Sequence, residues 1–235
     1  MLLGDSNILA RYFNGLKERF YRSKYFLLVF SIVFYLLFIP YSQGYFGQVF
    51  LSLIVSLVLV IAGFSVKQEK TIGTVTLLIV SVTLFFVWFF TIQGSQHSEE
   101  LVRFFTTISF SLIGALIFIN ILRTERKKII EMDFVWGGVA TYLLIGLAFA
   151  SVYRLVELYV PGSFSSLSTP PTHDFSNFIY FSYYALTTIG GLMTPNTLQA
   201  QSLVMLEPII GTLFIAILIS RLVGIVGNKG NQASQ

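Results

Sequence analysis

Cysteine is absent from the 235 residues, so neither a disulfide nor a thiolate-bound metal can form, and the redox compartment leaves no trace in the chain. Charge is scarce as well: 15 Lys and Arg with 11 Asp and Glu make 11% of the residues, under half of the roughly 25% usual in a soluble domain. A soluble enzyme or a nucleic-acid binder is excluded on that ground. The two histidines, His97 and His173, have no partners at metal-ligand spacing. Nowhere do a nucleophile, a base and an orienting group fall together, so we expect no enzyme.

What is present is apolar and aromatic: 55% hydrophobic residues, with 24 Phe and 12 Tyr. The few charges are bunched. They leave uncharged stretches from Tyr25 to Val66, Thr71 to Ser98, Phe104 to Leu122, Phe134 to Tyr153 and Phe175 to Leu206. A helical span needs about 20 apolar residues. The first stretch is twice that length and is broken by Pro40-Tyr41-Ser42-Gln43-Gly44, which predicts a helical hairpin. Further spans are expected at about Thr71–Phe90, Leu101–Leu122, Phe134–Leu158 and Ser202–Val226. The fold class is therefore an all-α membrane protein with six transmembrane helices.

Charge placement gives the orientation. With a cytoplasmic N-terminus, 13 of the 15 basic residues lie on the inner side, leaving Arg103 and Arg154 outside. This predicts a multi-pass protein of the cell membrane with both termini cytoplasmic. Residues 1–24 place Ile8, Tyr12, Leu16 and Phe20 on one helical face among Arg11, Lys17, Arg19 and Arg22. We expect there a cytoplasmic amphipathic helix against anionic inner-leaflet lipids. Residues 25–122 form a four-helix peripheral domain, 123–133 a cytoplasmic linker, 134–226 a pore domain, and 227–235 a short disordered tail.

One segment cannot span. After a Ser- and Pro-rich loop, residues 175–187, FSNFIYFSYYALT, are apolar enough for the membrane. Thirteen residues at 1.5 Å each rise only about 20 Å, short of the roughly 30 Å hydrocarbon core. The chain must turn back within the membrane. Thr187-Thr188-Ile189-Gly190-Gly191-Leu192-Met193-Thr194-Pro195 follows, and paired glycines with a proline make a continued helix untenable. Non-helical backbone at this depth is tolerated where it is buried in protein or lines a water-filled path. A half-helix with its C-terminal, negative end aimed at bare carbonyls is a cation site.

FSYYALTTIGGLMTP, followed by LEPIIGTLFIAILISRLVG, resembles the pore loop and inner helix of the tetrameric potassium-channel superfamily, whose filter reads T-T-V-G-Y-G-D-x-x-P. The resemblance covers about residues 134–226. It implies a re-entrant pore helix at 175–187, a filter at 188–192, an inner helix at 202–226 and a homotetramer. It also implies monovalent cation sites at Thr188, Ile189 and Gly190, with Gly191 completing the filter and Thr187 and Glu207 supporting it. Gly211 matches a glycine of the inner helix that bends in gating, although a small residue for close helix packing reads equally well. Thr212, Ala216 and Ser220 recur at i, i+4 and i+8 and are assigned to the inner cavity.

The departure from the family is equally specific. Six residues, Ile189 to Thr194, separate the threonine pair from the proline where the family has seven. Either the filter tyrosine is deleted, or the filter ends after Gly190 in the manner of cyclic-nucleotide-gated cation channels, whose loop reads T-T-I-G-E-T-P. Fewer oxygen rings weaken discrimination between potassium and sodium. The expectation is a weakly selective or non-selective cation channel with no cofactor beyond the permeant ions. A potassium-selective channel, a small-solute transporter and a non-conducting scaffold or subunit remain the alternatives. The fourth span holds a single arginine, Arg103, at its outer edge, so voltage sensing of the family type is not expected.

Overall fold

A computed structural model describes residues 24–39, 44–66, 70–93, 96–124, 131–166, 175–191 and 193–233. The basic N-terminal segment through residue 23 and filter position 192 lie outside the described residues.

Among those residues the protein has seven helices and two short strands. They are α1 (Lys24–Phe38), α2 (Gly44–Val66), α3 (Lys70–Gln93), α4 (Gln96–Thr124) and α5 (Glu131–Tyr159), then β1 (Phe164–Ser166), α6 (Phe175–Leu186), β2 (Met193–Pro195) and α7 (Leu198–Ala233). Two stretches, Phe134–Tyr159 and Leu198–Gly224, are long and apolar enough to cross a membrane. Apolar stretches in the first four helices are shorter: Tyr25–Phe38, Ser52–Phe64, Thr76–Phe89 and Phe104–Ile119. The helical, apolar chain is that of an all-α membrane protein.

Helix α7 runs on through Ala233.

Helix α5 is the centre of the fold, packing against α1, α4, α6 and α7. Its Leu144 and Leu147 join Leu28, Ile32, Leu59, Ile113 and Ile117 in the main apolar core. Between α3 and α4 the hydroxyls of Thr83 and Ser109 hydrogen-bond at 2.6 Å, both fully buried. In a low-dielectric surround, such pairs hold helices together where apolar surface alone has no preference between lipid and protein.

A second, aromatic cluster positions α6: Tyr153 of α5, Phe164 of β1, Phe178 and Phe181 of α6, and Met193 of β2. Its rings meet edge-on or tilted, with Tyr153–Phe181 centroids 5.3 Å apart and Phe164–Phe178 5.6 Å, the arrangement that ring quadrupoles favour.

Candidate functional site

Helix α6 buries Phe178, Ile179, Phe181, Ser182, Ala185 and Leu186, and leaves Tyr180 and Tyr184 on its outer face. Its twelve residues rise about 18 Å at 1.5 Å each. The helix ends in a double cap. The Ile189 amide donates to the Tyr184 carbonyl at 3.0 Å, and the Thr188 amide donates to the Ala185 carbonyl at 2.9 Å. This 6→1 and 5→2 pair is a Schellman motif, and it requires a left-handed residue at the position after the cap. That residue is Thr188, with φ 62°, where glycine is usual. Thr187 secures the last turn by donating its hydroxyl to the Tyr183 carbonyl at 2.6 Å.

Beyond the cap the chain is exposed. Thr188, Ile189, Gly190 and Gly191 all lie on the surface, Ile189 at 72%. Gly190 has φ 94°, so positive φ occurs at 188 and 190 with Ile189 between them. Among the described residues no donor reaches the carbonyl oxygens of Thr188, Ile189 or Gly190. Gly191 lies against the Phe181 ring, and a Cβ there would overlap Cε2 and Cδ2.

Glu207 of α7 is fully buried behind this loop. Tyr153 donates its hydroxyl to Glu207 Oε2. Ser182 Oγ lies 2.5 Å from Glu207 Oε1 and 2.7 Å from the Gly146 carbonyl. One residue of α7 thus joins α5 and α6 through Tyr153 and Ser182. Two further tyrosines tie α6 and α5 together: Tyr183 donates to the Leu143 carbonyl at 2.7 Å, and Tyr142 to the Leu186 carbonyl at 3.3 Å.

Gly211 is buried where α7 crosses the end of α6, and a Cβ there would stand 2.7 Å from Leu186 Cδ1 and 3.0 Å from the Leu186 carbonyl oxygen. Of its two readings, close packing is the one with a visible cause. Thr212, Ala216 and Ser220 are exposed. At about 100° per residue they lie half a turn from the buried stripe of Glu207, Gly211 and Phe214. The chain therefore turns this more polar stripe away from its own body. Exposed apolar residues flank it, Leu206, Leu213 and Ile217 on one side and Ile215 and Ile219 on the other.

Three features had not been anticipated. Ser182 and Tyr153 are partners of Glu207, for which the cue was a lone carboxylate in an apolar span that had to be satisfied. The third is a two-stranded antiparallel sheet, which joins the loop after α5 to the segment after the filter with Phe164 opposite Pro195, Ser165 opposite Thr194 and Ser166 opposite Met193.

A family model described as ion channel matches residues 141–227, from the middle of α5 through the re-entrant segment into α7. That match supports a pore-loop channel for this region. Neither a curated protein nor a solved structure matches the chain.

Proposed function

We propose that this protein is a homotetrameric channel for monovalent cations, with the carbonyls of Thr188, Ile189 and Gly190 and the Thr188 hydroxyl forming a short filter. The observation that carries the reading is the exposed turn after α6, in which alternate positive φ and undonated carbonyls follow the negative end of a short helix. Unclaimed backbone oxygens at membrane depth need a water-filled path or a cation. A single loop cannot surround an ion, so several copies must share it around a closed axis. Thr212, Ala216 and Ser220 then line the cavity below, the apolar flanks of α7 meet neighbouring copies, and α1 to α4 complete a six-span subunit with cytoplasmic termini.

Selectivity follows from the length of the loop. With one residue fewer than the family between threonine pair and proline, the outer oxygen rings are reduced or reshaped, and potassium and sodium should both pass. Voltage dependence should be shallow, because each charge crossing the whole field contributes about 2.3 kcal/mol per 100 mV. Helix α4 offers only Arg103 and Arg123, near its two ends.

Reversal potentials of the purified protein in liposomes under bi-ionic potassium and sodium test this. Discrete openings with a reversal near zero are expected. Strong potassium preference would remove the weak-selectivity part, slow saturable flux would indicate a transporter, and silence would indicate a scaffold or a subunit.

A further inference from the structure

The carboxylate of Glu157, at the outer end of α5, is buried at 7% exposure and faces backbone. Its Oε1 accepts the Gly162 amide at 2.9 Å and its Oε2 accepts the Phe164 amide at 2.9 Å. Both oxygens are thus engaged on one short stretch of chain, residues 162–164. Charge-assisted bonds of this kind are about twice as strong as neutral ones. The neighbouring cation, Arg154, lies with its guanidinium 5.8 Å from the Phe178 ring centroid.

The opposite edge of the same stretch holds the segment that leaves the filter. The Asn196 amide donates to the Ser163 carbonyl at 2.8 Å, and the Asn196 side chain donates to the Gly162 carbonyl at 3.2 Å. From Phe164 onward β1 pairs with β2, whose Met193 stands two residues after Gly191. Phe164 also packs on Phe178 and Phe181, and Phe181 is the ring against which Gly191 rests. Residues 162–164 are therefore clamped between a carboxylate on the rigid outer helix and the backbone at the filter exit. From Glu157 a contiguous set of contacts runs through residues 162–164 to β2, and through Phe164 and Phe181 to Gly191.

We propose that Glu157 is a positioning residue for the outer mouth of the filter: by fixing residues 162–164 it fixes β2, and through it the orientation of the Gly190 and Gly191 carbonyls. The proposal rests on the channel reading, in that its consequence is a change in ion discrimination. Glu157→Gln offers one acceptor oxygen and an NH2 group to two N–H donors, so one bond is lost and a donor is set against a donor. Glu157→Asp keeps the charge but is one methylene shorter. Asn196→Ala, at an exposed side chain, weakens the same clamp from the filter side.

The experiment measures the potassium-to-sodium permeability ratio from bi-ionic reversal potentials in liposomes, with oligomer mass and thermal midpoint recorded on the same preparations. Expected for Glu157→Gln is an intact oligomer and a permeability ratio changed by roughly twofold or more, with Glu157→Asp between it and the wild type. Asn196→Ala should shift the ratio in the same direction. Combining it with Glu157→Gln should add little, because both act through one segment. If Glu157→Gln cannot be recovered folded, Asn196→Ala and Glu157→Asp carry the test. A conducting wild type whose folded variants keep its permeability ratio overturns the positioning role. A wild type that carries no current overturns the channel reading instead, so the two failures are distinct.

Discussion

Thr188 holds a left-handed backbone, φ 62°, that a β-branched residue adopts at a cost of roughly 1–2 kcal/mol. Glycine would serve the cap better, and under the proposed filter the threonine supplies a hydroxyl that glycine lacks. Thr188→Gly should therefore raise the stability of the solubilised protein by about 1 kcal/mol, seen as a higher thermal midpoint. It should at the same time lower ion flux or alter its selectivity, because one ring of hydroxyls is gone. A stabilised variant with unchanged conduction would remove Thr188 from the filter. Glu207 gives a complementary case. The Ser182 hydroxyl has one hydrogen for two oxygen neighbours, the Gly146 carbonyl and Glu207 Oε1. An amide at 207 supplies the further hydrogen and still accepts from Tyr153. Glu207→Gln should consequently fold and assemble as the wild type does, whereas Glu207→Leu leaves the Tyr153 hydroxyl only a 3.5 Å contact with the Leu203 carbonyl, Ser182 keeping Gly146, and should lose about 1–3 kcal/mol, read by thermal unfolding.

At the scale of elements, the close approach of α7 to the end of α6 depends on Gly211. An added methyl would meet the Leu186 carbonyl, which is backbone and cannot rotate away. Gly211→Ala should cost about 1–3 kcal/mol by overpacking. Gly224→Ala, in the same helix with open space around it, should be neutral or slightly stabilising. Equal effects in thermal unfolding would mean that helix propensity, not contact, sets both. The elements differ in how far the sequence announced them. The break between α1 and α2 was legible because proline and glycine act locally. So was the start of α6 at Phe175, where the aromatic run begins. The β1–β2 sheet was not, because a three-residue strand is too short to establish a period of two and its partner lies some 30 residues away. The partners of Glu207 were hidden for the same reason, at separations of 54 and 25 residues. The left-handed turn fell on a threonine, a residue type whose own preference points elsewhere. Local chemistry could be read directly, while pairings that close only in three dimensions could not.

For the whole molecule, the contrast between its two membrane-capable helices is the informative feature. Of the span in α5, 56% is buried within the chain, against 17% for the span in α7. In a bilayer exposed apolar residues alone demand nothing, since lipid covers them as well as protein does. The stripe of Thr212 and Ser220 and the undonated carbonyls of the loop are different, because lipid cannot satisfy them. The assembly proposed above, around a watered axis, would satisfy both. It would also give distinct roles to distinct faces of α7, the flanks to neighbouring copies and the stripe to the cavity. Ile215→Gln, on the flank about 140° round the helix from Ser220, should therefore weaken assembly, and light scattering in mild detergent should show the proposed tetramer mass giving way to smaller species. Ser220→Gln, on the stripe, should leave the mass unchanged while altering single-channel conductance, because a longer polar group then stands in the ion path. The reverse pattern, with assembly lost at 220 and conductance changed at 215, would mean that the helix is turned the other way about the axis. In that event the loop carbonyls would need a different route to water.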